Sequence, residues 1–353
     1  MQRQLGRSGV MVSAMGLGCW AIGGPWTFNG RPAGWGEVDD AESIRALHAA
    51  LDHGITFFDT AANYGAGHSE RLLGRALAGR RDRAVIATKF GYRVDEAARA
   101  VVPYGEEAAT SDVVPTIRAD CEASLRRLNV EVIDLYQFHI NEYPPERAAA
   151  VRDALEELVA AGKIRYYGWS TDNPDGARVF AEGDHCVAIQ HNMNVIHDAP
   201  EVLAVCEAFN LASINRGPLG MGLLTGKYTR RSTFAANDVR ASADWFKEGF
   251  WEKILPRLDD IRDVLTSDGR TLAQGALGWI WARSPRTIPI PGVRTVARWR
   301  KTRGRWRSGR SPRTRCGRSR SCWAGPRAPP RRRPVADGPP RAGDLRHPRR
   351  IDR

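Results

Sequence analysis

Four side chains in this 353-residue sequence have the types needed for proton transfer: Asp59, Tyr64, Lys89 and His139. Asp59 lies in the apolar run ITFFDT (55–60), and Tyr64 follows just beyond it. Lys89 sits near the end of AVIATKF (84–90), and His139 closes VIDLYQFH (132–139). Each is polar in an otherwise apolar context. Burying a charge alone is costly, so the four are expected to be partners for one another. A tyrosine hydroxyl has an ordinary pKa of about 10, too high for an acid at neutral pH. A nearby ammonium is expected to lower it by favouring phenolate, with a carboxylate holding the ammonium in place. Tyr64 would then be the proton donor, Lys89 its tuner and Asp59 the anchor of Lys89. His139 would orient a substrate carbonyl and assist the transfer. The set suits reduction of a carbonyl by a hydride donor, with no metal. The competing reading of the same residues is a purely structural ion-pair network.

Eight short apolar runs must position these groups: 12–18, 55–60, 84–90, 132–139, 164–170, 187–193, 211–218 and 287–292. Most are uninterrupted, as strands buried on both faces should be. Helix-period segments lie between them. Asp39 and Asp40 are cap candidates for a helix stopping at Gly54. Ser111 or Asp112 would cap the next, with Pro115 in its first turn. The segment 144–163 begins with prolines and ends at Gly162, a glycine suited to the C′ position. Further helices are expected at 68–78, 174–182, 199–209 and 270–283. This alternation predicts an α/β fold, a (β/α)8 TIM barrel with a short N-terminal β-hairpin. In such a barrel the chemistry sits where strands end, at the C-terminal rim. A doubly wound sheet would show a G-x-G-x-x-G turn after its first strand, and GLGCWAIGG (16–24) lacks that spacing.

The charge distribution is lopsided. The whole chain carries +13, yet residues 298–353 alone hold 19 Arg and 1 Lys against 3 Asp. The preceding 297 residues are therefore slightly acidic, and the excess positive charge belongs to the terminal segment. That segment has too few branched aliphatics to offset the entropy of folding and is expected to be disordered. Six scattered cysteines form no CxxC pair, which fits a reducing cytoplasm. The N-terminus lacks the apolar core of a signal peptide, and no run is long enough to span a membrane. His185, His191 and His197 have no metal-ligand spacing. The Trp- and Gly-rich loop 24–40 suits either an apolar lid over substrate or a cap on the barrel edge.

The stretch GITFFDTAANYGAGHSERLLGRAL (54–77), followed by ATKFG, DLYQFH, GWS and GLLTGKY, resembles the aldo-keto reductase family. Members are NADP(H)-dependent carbonyl reductases on a (β/α)8 barrel, and the resemblance covers residues 1–297. It implies that Asp59, Tyr64, Lys89 and His139 are the catalytic tetrad acting on a small-molecule carbonyl. It implies further that Ser170 and Gln190 hydrogen-bond the nicotinamide amide, and that Gly18, Cys19 and Trp20 line the mouth. Arg216 stands where the family often stacks an aromatic on the nicotinamide, and a guanidinium plane can also stack on a ring. Leu219 and Gly220 would continue along the pyrophosphate. Arg294, just past Gly292, is placed to meet a 2′-phosphate. A non-catalytic NADP(H) sensor or regulatory subunit is the rival reading, which the complete tetrad argues against.

The family continues past the eighth strand with Gln-x-x-Glu-Asn, where this chain has Arg298, Lys301 and Thr302. Codons chosen for RWRKTRGRWRSGRSPRT and read one base out of register can spell Gln-Val-Glu-Glu-Asn-Ala-Gly-Ala-Leu. The expectation is therefore a barrel over 1–297 and an out-of-frame, Arg-rich tail over 298–353. A nucleic-acid-binding tail is the alternative, and its binding would be non-specific and salt-dependent.

Overall fold

The computed structural model describes residues 1–229, 231–242 and 249–303 of the chain. Eight parallel strands form the centre: β1 Leu17–Gly18, β2 Phe57–Asp59, β3 Val85–Phe90, β4 Ile133–Phe138, β5 Ile164–Ser170, β6 Cys186–Asn192, β7 Ala212–Arg216 and β8 Thr287–Pro289. They pair in chain order, and the sheet curls until its edges meet. Gly16 N donates to Pro289 O at 3.0 Å, Gly18 N to Pro291 O at 3.1 Å, and Gly18 bridges Gly292 in parallel. A Cβ at Gly18 would lie 2.8 Å from the Ile290 carbonyl, so closure requires glycine there. The (β/α)8 barrel expected from the alternation is the fold observed.

The first apolar run, 12–18, divides between two elements. Met11–Ser13 pairs antiparallel with Gln2–Gln4 in the N-terminal hairpin, and only Leu17–Gly18 enters the barrel. Leu5 and Val12 of the hairpin pack beneath Phe57, Ala87, Leu135, Ala188, Ala212, Ile214 and Ile288, closing the bottom of the barrel. Strand side chains alternate between faces. The inward positions above that apolar layer are Asp59, Lys89, Gln137, Ser170, Gln190 and Arg216. One alternation thus builds an apolar floor and a polar upper layer.

Helices α1 Asp40–Asp52, α2 His68–Leu77, α3 Ile117–Leu128, α4 Pro145–Ala160, α5 Pro174–Ala181 and α6 Pro200–Ala208 follow the first six strands. Asp39 caps α1 by accepting from Glu42 N at 3.1 Å. Gly162 has φ of +69°, as a C′ residue should. The cap proposed for α3 is not observed. The Ser111 hydroxyl donates to the Glu107 carbonyl at 2.8 Å instead, and a 3-10 turn at Val114–Thr116 leads into the helix. Helix α7, Phe250–Thr266, is an element that the reading of helix-period segments omitted. It buries Ile254, Leu258, Ile261 and Leu265 at helical spacing, with Pro256 inside it arguing locally against a helix. Helix α8, Leu272–Arg283, begins with a Thr271–Gln274 capping box.

The last described helix, α9 Val296–Arg303, crosses the boundary expected after residue 297. Val296 N donates to Glu42 of α1, and Trp299 is 1% exposed with its ring 6.4 Å from that of His53. The folded unit therefore continues through 298–303, because Trp299 is long enough to reach the α1 face. The rest of the Arg-rich segment, 304–353, lies outside the described residues. No helix among the described residues is long and apolar enough to cross a membrane.

Candidate active site

Asp59, Lys89, Tyr64 and His139 meet at the upper rim. The Lys89 ammonium is fully buried and uses three donors. It donates to Asp59 Oδ1 at 2.5 Å, to the Thr60 carbonyl at 2.8 Å and to the Tyr64 oxygen at 3.4 Å. Asp59 is 1% exposed, and its second oxygen accepts from Gln190 Nε2 at 2.7 Å and Gln137 Nε2 at 3.1 Å. Charge-assisted hydrogen bonds on both oxygens offset the desolvation of this carboxylate. Gln137 is the residue missed in the sequence. Its signal was available, since Gln137, like Asp134, is a polar side chain in the buried run that ends at His139.

Tyr64 is held by a tight turn. Gly65 has φ of +64°, and a Cβ there would lie 1.9 Å from the Gly23 carbonyl. The turn carrying Tyr64 thus rests on the loop after β1. Gly65→Ala is expected to cost at least 1–3 kcal/mol, the scale of backbone strain, and to lower activity by shifting Tyr64. Urea denaturation with an unchanged midpoint would contradict this.

The electrostatics differ from the expected tuning in one respect. Burial raises the Tyr64 hydroxyl above its ordinary value, and Lys89 pulls it back without cancelling the rise. Tyr64 is therefore held protonated. Lys89 loses from burial, yet Asp59 and Tyr64 keep its pKa above the ordinary lysine value. Burial, then Lys89 and Arg216, depress His139 well below the ordinary histidine range, so its ring is neutral. Its ring lies edge-on to Tyr64 at 5.8 Å and to Tyr92 at 5.9 Å. Neither ring nitrogen has a hydrogen-bond partner among the described residues. Lys89 donates to the Tyr64 oxygen, which leaves the Tyr64 O–H to be given elsewhere. Chemically, the arrangement offers a proton and a neutral imidazole to one oxygen.

Ser170 and Gln190 are register partners on β5 and β6. The Ser170 hydroxyl and the Gln190 amide oxygen make no hydrogen bond among the described residues. A donor-capable hydroxyl beside an open carbonyl fits a carboxamide such as that of nicotinamide. Trp20 stacks on Tyr64 at 6.0 Å and meets Trp35 edge-on at 5.2 Å, so it lines the mouth. Cys19 is buried; burial, then Asp59, push its thiol up. Gly18 and Gly292 serve barrel closure. Leu219 and Gly220 lead the 3-10 segment Gly220–Thr225 after β7.

Loop 24–40 packs on the barrel edge, with Trp35 beside Trp20. Thr27–Phe28 pairs with Ala100–Val102 and Trp26 packs under that small sheet, while Trp35 faces Trp20. A second loop meets it. Arg240 pairs with Asp238 and Tyr228, and its guanidinium lies 4.8 Å from the Trp35 ring. Arg294 donates to the carbonyls of Trp35 at 2.8 Å and Glu37 at 3.3 Å. Arg216 pairs with Asp172, the loop residue after β5. His185 and His191 are apart, bound to Glu156 and Ser213 respectively. No group of three or more metal-ligand side chains is found among the described residues.

The family model described as Aldo/keto reductase family matches residues 14–306. The chain is 31% identical to the aldo-keto reductase yakc [NADP(+)] of Schizosaccharomyces pombe, across 81% of each chain. It is 31% identical to an NADH-specific methylglyoxal reductase of Escherichia coli, across 79% of this chain and 85% of that one. The solved structure of the glycerol dehydrogenase AKR11B4 from Gluconobacter oxydans superposes with a TM-score of 0.71 at 32% identity. It covers 86% of this chain and 90% of that one.

Proposed function

The chain belongs to the aldo/keto reductase family, and from that premise we propose that it reduces an aldehyde or ketone with NADPH, Tyr64 acting as the general acid. The supporting observation is the Asp59–Lys89–Tyr64 chain ending in an O–H beside the open ring of His139. When bound, the cofactor supplies a hydride to the carbonyl carbon. Tyr64 delivers a proton to the carbonyl oxygen, and neutral His139 hydrogen-bonds and orients that oxygen. Lys89 holds the Tyr64 oxygen as the proton leaves, and Asp59 keeps Lys89 charged. Ser170 and Gln190 hold the carboxamide. Trp20 and Trp35 exclude water from the mouth.

NADPH consumption with a panel of aldehydes and ketones tests the reading. Turnover of at least one carbonyl is expected. Cofactor binding without turnover of any would favour the sensor reading.

Cofactor choice rests on Arg294. One relative is named for NADP(+) and another for NADH, so family membership alone leaves the choice open. Arg294 is half-buried, and its pKa is lowered by burial, then by Arg298 and Arg240. Positive charge gathered at one place suits a 2′-phosphate. Arg294 engages the loop carbonyls through one nitrogen, which leaves its other donors for that phosphate. A hydrogen bond to a charged group contributes about 1.5–3 kcal/mol. Arg294→Ala is therefore expected to weaken NADPH roughly ten- to a hundredfold and NADH little. Equal weakening of both in a fluorescence titration would remove Arg294 from the phosphate site.

A further inference from the structure

We propose that Arg216, fixed by Asp172, makes this site discriminate between the reduced and oxidised forms of its cofactor, favouring NADPH over NADP+. The proposal rests on the cofactor reading above. Arg216 ends β7 on the same face as Ala212 and Ile214, which fill the barrel interior. Ile214 is the register partner of Gln190, which pairs with Ser170, so Arg216 stands two residues beyond that carboxamide-suited pair, beside Asn192 at the rim. Asp172 pairs with it across the end of β6, and the other Asp172 oxygen accepts from Asn192 N at 2.7 Å. Asn141 in turn accepts from Asp172 N at 2.8 Å. The cation is thus paired with a carboxylate that is itself fixed by backbone and side-chain groups at two neighbouring strand ends. Its charge is felt inside the mouth, since it contributes to the shifts of both Tyr64 and His139.

A guanidinium in that place would lie beside a ring that is neutral in the reduced cofactor and positively charged in the oxidised one. Like charges at close range in a partly desolvated site repel. The two forms are otherwise the same molecule, with identical phosphates, riboses and adenine. The ratio of their dissociation constants therefore isolates the charge at the ring from every other contact. Asp172 opposes the Arg216 charge and so moderates the repulsion, which makes the pair a setting device for that ratio.

Dissociation constants for NADPH and NADP+ would be measured by tryptophan-fluorescence titration without carbonyl substrate. Wild type is expected to bind NADPH more tightly. Arg216→Met, which keeps length and removes charge, is expected to shrink the preference by about tenfold. Asp172→Asn is expected to enlarge it. Arg216→Lys should keep the preference while weakening both forms, because it retains charge and loses the flat plate. If the methionine variant does not fold, Asp172→Asn alone decides, and an unchanged ratio there overturns the proposal. An unchanged ratio in both Arg216→Met and Asp172→Asn overturns the proposal while leaving the cofactor reading intact. Failure of wild type to bind either form overturns the cofactor reading itself.

Discussion

Tyr64→Phe is expected to lower turnover for carbonyl reduction by a factor of about 100 to 10,000, the usual contribution of a positioned general acid. NADPH affinity should stay nearly intact, because in the proposed mechanism the hydroxyl serves the substrate oxygen and not the cofactor. The ring would keep its stacking on Trp20 and its edge contact with His139. Reduction within tenfold of wild type would sink the assignment. The same residue sets the expected pH profile of the wild type. Tyr64 is held above the ordinary tyrosine value of 10.0, so it remains protonated throughout the neutral range. His139 is held well below the ordinary histidine value of 6.5, so it remains neutral there. The reduction rate is expected to be flat between those values. It should fall only on the alkaline side, as Tyr64 loses the proton it must give. A steep change near pH 7 would contradict this environment.

Lys89→Met is expected to damage the fold as well as the chemistry. Lys89 is buried completely, and Asp59 Oδ1 has it as its partner. Removing one member of a buried pair leaves the other charge uncompensated, at a cost of about 3–5 kcal/mol. The melting temperature should fall by something on the order of 10 °C. Turnover should fall with it, since the Tyr64 oxygen loses the donor that stabilises departing charge. The double variant Asp59→Asn with Lys89→Met should recover part of the stability and none of the turnover, because it deletes the stranded charge without restoring the donor. A Lys89→Met variant as stable as wild type would mean that water reaches Asp59 and that the pair is not sealed.

Several features of the site are legible in the sequence. Asp59, Lys89 and His139 were visible because a strand buried on both faces tolerates few polar residues, and each broke an apolar run near its end. Tyr64 followed from its place after the Asp59 turn. The alternation of runs and amphipathic segments was enough to predict a barrel, although it took 12–18 as one strand where the chain divides it between hairpin and barrel. Gln137 was equally legible and was passed over, although it satisfies the same criterion.

Other features depended on contacts between residues far apart in the chain. Gly18 and Gly292 face each other because β1 and β8, some 270 residues apart, close the barrel, and no local pattern encodes that approach. Helix α7 follows the long connection after β7, and Pro256 masks its periodicity; packing of its apolar face overrides the local penalty. Trp299 carries the folded unit past residue 297 because the α1 face lies within its reach. Composition marked that segment only as basic. The sequence by itself singled out Asp59, Tyr64, Lys89 and His139 as the candidate residues and determined what supports them locally. The tertiary structure decided the charge state of Tyr64, the partners of Asp59, and the pairing of Arg216 with Asp172. Those depend on distance and desolvation, which arise only when the strand ends are gathered onto one rim.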